Sequence, residues 1–75
     1  NLNIAYTLNN ESTVEVHLYN IMGELIGDYG QGTQKERDYV LNVNLASNPN
    51  IVSGIYFCTV NVNGKLITRR FVFSK

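Results

Sequence analysis

Residues able to do acid–base or nucleophilic chemistry are few and widely spaced in this chain. His17 is the only histidine and Cys58 the only cysteine. A Ser-His-Asp or Cys-His arrangement would have to be built on His17, with its nucleophile in hydrogen-bond reach. His17 falls on the polar side of an alternating segment, beside Glu15 and Tyr19, and nothing in the spacing brings a nucleophile to it. Cys58 shares a strand face with Tyr56 and Val60, the position of a small core hydrophobe. One cysteine closes no intrachain disulfide and builds no cysteine-based metal site. The acids Glu11, Glu15, Glu24, Asp28, Glu36 and Asp38 are scattered, with no close pair for glycoside hydrolysis or calcium binding. Gly30-Gln31-Gly32 precedes a strand and not a helix, so it has no helix N-terminus to complete a phosphate cradle. Five Tyr and three Phe could stack on a sugar, but most fall in register with core positions and Trp is absent. The expectation is a non-enzyme with no cofactor and no metal.

The elements around these residues are strands. Leu2, Ile4, Tyr6 and Leu8 alternate with Asn3, Ala5 and Thr7, and Val14, Val16 and Leu18 alternate with Thr13, Glu15 and His17. A period of two is the signature of a half-buried strand. Asn20-Ile21-Met22-Gly23 suits a type I turn with Gly23 at positive φ, leading into a short strand over 24–29. Gly30 to Gln34 reads as an open polar loop, and Tyr39, Leu41, Val43 and Leu45 mark a fourth strand. Ala46 to Ser53 is irregular around Pro49, with room for one helical turn. Gly54 to Val62 is the fifth strand. Asn63-Gly64 then predicts a two-residue type I′ hairpin into a last strand from Lys65 to about Ser74, pairing Val60 with Ile67 and Tyr56 with Phe71. Tyr56 is expected in the core, and Gly54 where a side chain would clash or where φ is positive. Six or seven short strands predict an all-β fold, a small two-layer antiparallel β-sandwich of immunoglobulin-like type.

Seventy-five residues allow one domain, and 44% apolar with 16% charged residues places the chain among globular proteins. Only two alanines occur, Ala5 and Ala46, so helix formers are scarce. Six basic and six acidic residues cancel, without the basic surplus of a nucleic-acid binder. No stretch approaches the ~20 apolar residues of a membrane-spanning helix. The Asn-Leu-Asn-Ile start has no signal-peptide pattern and no initiator Met, so the chain, one domain over 1–75, is expected to be a piece of a larger protein or a processed product.

Three segments carry a family resemblance. Residues 14–26 combine a valine-rich strand, an aromatic, Asn20, Gly23, Glu24 and an apolar pair. Residues 53–60 carry a Gly-x-Tyr strand through Gly54 and Tyr56, and Arg69-Arg70-Phe71-Val72-Phe73-Ser74-Lys75 is a basic-apolar run closing on Lys. In this order and spacing the chain resembles the C-terminal sorting domains of the type IX secretion system of Bacteroidetes. The family's Pro-Asn-Pro-type opening lies upstream of the first strand, and this sequence starts after it.

The resemblance implies a non-catalytic sorting signal behind an N-terminal cargo domain in the same parent chain. It also implies recognition by the outer-membrane translocon, transit through the periplasm, and removal by a cell-surface sortase that attaches the cargo to lipopolysaccharide. Gly54, Tyr56, Arg69, Arg70 and Lys75 are the residues expected to serve recognition, with Arg69, Arg70 and Lys75 outward and Phe71 and Phe73 docked in the core. A different function on the same fold would be an accessory carbohydrate-binding or adhesion module, marked by exposed clustered aromatics or convergent carboxylates.

Overall fold

In the computed structural model, which describes residues 2–74, the chain is a two-layer antiparallel β-sandwich of seven strands. These are β1 (Leu2–Leu8), β2 (Ser12–Asn20), β3 (Leu25–Asp28), β4 (Gly32–Gln34), β5 (Arg37–Val43), β6 (Gly54–Val62) and β7 (Lys65–Phe73). One sheet is the pair β1–β5. The other runs β3-β2-β6-β7, with β4 also paired to β2. Among the described residues the only helical element is a 3₁₀ turn at Leu45–Ser47, at the start of the loop with room for one.

Burial follows the alternation. Val14, Val16 and Leu18 of β2 are fully buried, and Tyr56, Cys58 and Val60 of β6 lie beside them. The β1–β5 pair covers this floor with Leu8 and Val43, and with the half-buried Ile4, Tyr6, Tyr39 and Leu41. Leu45 and Ile51 turn inward from the long loop. Its buried ends explain how eight irregular residues stay attached to so small a core. Tyr6 binds the two layers by donating from its hydroxyl to Oε1 of Gln34 at 2.6 Å, and its ring stacks on Tyr39. Burial raises the Tyr6 phenol above its usual pKa, so it keeps this proton through the neutral range.

The turns behave as their residues dictate. Gly23 has φ +83°, its N–H donates to the Asn20 carbonyl at 3.0 Å, and Asn20 Oδ1 accepts from the N–H groups of Met22 and Glu24. Asn63 and Gly64 both have positive φ, +51° and +88°, as a type I′ turn requires. The hairpin register pairs Val60 with Ile67 and Tyr56 with Phe71.

Two segments depart from the sequence reading, and in one of them Leu45, expected in the fourth strand, instead opens the 3₁₀ turn after that strand ends at Val43. Residues 32–34, expected within an open loop, form β4, because the backbone of Ser12–Val14 needs a partner on the side β3 is too short to reach. The N–H groups of Tyr29 and Gln31 donate to the carbonyls of Val16 and Val14 and hold the connection alongside β2.

Candidate recognition site

β7 is the last strand of its sheet, hydrogen-bonded to β6 alone, so one row of its backbone groups has no strand partner. Alternation divides its side chains. Lys65, Ile67, Arg69, Phe71 and Phe73 stand opposite Val62, Val60, Cys58, Tyr56 and Gly54 on the inner side, while Leu66, Thr68, Arg70 and Val72 lie on the outer side. Phe71 and Phe73 pack against the core as expected, Phe71 stacked on Tyr56 at 5.9 Å between ring centroids.

Arg69 and Arg70 do not form one outward basic patch. Arg69 is in phase with Phe71, so it projects from the inner face, and it is exposed there. Arg70 projects outward opposite Phe57. Neither has an ion pair among the described residues. Lys75 lies outside the described residues. Tyr56 is buried to 6% exposure, and its hydroxyl donates to the Val52 carbonyl at 2.7 Å and accepts from the Val52 N–H at 3.1 Å. Those bonds hold the approach to β6, so Tyr56 acts on any surface through the fold. Gly54 faces Phe73 with φ +159°, a positive value that L side chains rarely adopt, as expected, and a side chain there would meet nothing within 4 Å. A clash therefore does not account for this glycine. The candidate residues thus separate into Gly54 and Tyr56 at the start of β6 and two arginines on opposite faces of β7.

The sequence reading missed a row across the outer face. Leu25, Tyr19, Phe57 and Arg70 are consecutive cross-strand neighbours on β3, β2, β6 and β7. In the next row His17 pairs with Asp28, Nε2 to Oδ1 at 3.4 Å. A β-bulge in the β2–β3 pairing beside Leu18 and Tyr19 sets that register, and no turn residue announces it. Among the described residues, no three His, Cys, Asp or Glu side chains are grouped as a metal ion would need.

Cys58 is free and buried, and burial pushes its thiol pKa up. The thiolate is the reactive form, so native labelling by iodoacetamide at pH 7.5 is expected to run at least ~10-fold slower than in the urea-unfolded chain. Equal rates in the two states would place the thiol in solvent.

Residues 1–74 match the family described as Secretion system C-terminal sorting domain. The chain belongs to the type IX secretion C-terminal sorting domain family. No curated protein and no solved structure matches it significantly. Membership supports a C-terminal secretion sorting signal, an N-terminal cargo in the parent chain, and export of that cargo to the surface or beyond. The family as a whole is non-catalytic in character, and Bacteroidetes is its implied source. All three segments that carry the sorting-domain resemblance lie in one sheet: residues 14–26 make the β2–β3 hairpin, 53–60 enter β6, and 69–73 end β7. All four members of the outer row come from them: Tyr19 and Leu25 from the first, Phe57 from the second and Arg70 from the third.

Proposed function

We propose that this domain is read by the outer-membrane translocon through β7 while its cargo is in the periplasm, and is then removed by a cell-surface sortase. The observation that carries the reading is the family match over residues 1–74. The position of β7 supports it: an edge strand can be extended by a partner strand, with main-chain bonds giving affinity and flanking side chains giving selectivity. Arg69, Arg70 and Lys75 are the selective groups, and Gly54 and Tyr56 set the strand beside them. Sorting of this kind requires a folded shape and no bond-breaking chemistry. The domain serves as a label on its parent chain.

The test changes Arg69, Arg70 and Lys75 to Ser in the full cargo and keeps Phe71 and Phe73, whose loss would unfold the domain. Arg69 and Arg70 are exposed, so folding should change little. Losing charged contacts worth ~1.5–3 kcal/mol should lower surface-delivered cargo about tenfold or more, with the remainder held in the periplasm. Export of the triple variant at the parent level would remove these charges from recognition. Normal export after deletion of the whole domain would overturn the sorting function in this chain.

A further inference from the structure

β1 and β7 are both terminal strands, each in its own sheet, and they border the same side of the sandwich. Between them runs an open groove in two adjoining halves of about 240 and 280 Å³, which share Thr7, Val62 and Ile67. One wall is formed by Ile4 to Asn10 in unbroken succession, residues 4–8 from β1 and Asn9 and Asn10 from the turn after it. Alternate residues of a strand point to opposite faces, so consecutive residues border one groove only through the strand's edge. That edge faces away from β5 and has no strand partner. The floor is apolar, made by Cys58, Val60 and Val62 of β6. The opposite wall is the inner side of β7, with Ile67 between Lys65 and Arg69.

We propose that this groove binds an extended acidic segment of a separate partner protein, added to the free edge of β1 as a third strand of that sheet. The wall dictates the occupant's pattern. Layers of a sandwich lie about 10 Å apart, so the inward side chains of a strand beside β1 meet those of β7. Along β7 these run cation, apolar, cation at positions 65, 67 and 69. The complement is acid-x-apolar-x-acid, with all three side chains on one face, and it reads the same in both directions. Neither Lys65 nor Arg69 has a carboxylate partner among the described residues, and no acid stands on the β1 wall. The β1 part of this wall, residues 4–8, spans roughly 13–16 Å at ~3.3 Å per residue, the length of a five-residue segment. The proposal rests on this geometry and is independent of the export route, so failure of peptide binding and failure of the sorting reading are separate results.

The test uses the 75-residue chain with isotope-labelled amides and two capped peptides of seven residues, one carrying Asp-Thr-Val-Thr-Asp and the other Lys-Thr-Val-Thr-Lys. The acidic peptide is expected to shift amide signals of residues 4–8 and to slow exchange of those β1 amides not bonded to β5. Its Kd should be about tenfold below that of the lysine peptide, the effect of two solvent-exposed charge pairs. In the K65E/R69E variant the preference should invert, while an unchanged amide spectrum elsewhere shows that the fold is kept. Inversion separates direct contact from a structural role of these cations. Equal affinity for the two peptides would overturn the proposal, as would no binding at millimolar peptide or shifts confined to another surface. A dimer that protects the β1 edge without peptide would overturn it as well, by making a second copy the occupant.

Discussion

Replacing Tyr56 with Ala is expected to cost about 3 kcal/mol of folding stability and to lower the melting temperature by more than ~10 °C. The ring is buried, stacks on Phe71, and ties β7 to β6 at the end where β6 begins. Its hydroxyl accounts for a smaller, separable part, since both of its bonds go to the backbone of Val52. Tyr56→Phe should therefore cost only ~1 kcal/mol, the net worth of a typical hydrogen bond, with some excess for the Val52 groups left unpaired. Chemical unfolding of the two variants beside the parent checks both values. In a domain this small, total stability is only on the order of 5 kcal/mol, so the Ala variant should be partly unfolded at 37 °C. An unchanged melting temperature would show that the ring does not help hold the core.

Leu18→Ala is expected to be about as costly, ~3 kcal/mol. Leu18 is fully buried on β2, and β2 is the strand that pairs with β3, β4 and β6. Leu18 stands between Gly27 of β3 and Cys58 of β6, so the strand that lines a cavity there is held by neighbours on both sides and resists collapse. Leu25→Ala is the matched control. Leu25 is 55% exposed on short β3, and its loss should stay within ~0.5 kcal/mol. Urea midpoints that differ little between these two variants would contradict the assignment of the inner face.

These two leucines show where the sequence was legible. A period of two is enforced wherever one face is buried, so Val14, Val16 and Leu18 marked their own orientation. The two hairpin turns were legible because Gly23, Asn63 and Gly64 supply backbone conformations that few other residues tolerate. The pairing of β1 with β5 was not, since no turn joins them and register between distant strands is chosen by packing alone. The opposite orientations of Arg69 and Arg70 had a signal that the reading of both as outward overlooked. Arg69 is two residues from Phe71 and four from Phe73, and strict alternation puts all three on one face. The β1–β7 groove needed both sheets in place before it could be seen, because its walls come from opposite ends of the chain.

The sheet order also governs the time course of folding. β2–β3 and β6–β7 are hairpins with short connections, closable in ~1–10 μs. β1 must find β5, whose register matches Leu2 with Val43 and Leu8 with Arg37, across some thirty to forty residues of chain. Loop closure must be met before such a contact is rewarded, and β-proteins dominated by distant pairings fold in roughly milliseconds to seconds. The β1–β5 layer is therefore expected to dock last, onto a sheet nucleated by its hairpins. Until it does, the edge of β1 has no fixed position and the groove has only one wall. A partner that binds between β1 and β7 thus distinguishes a finished domain from a partly folded one.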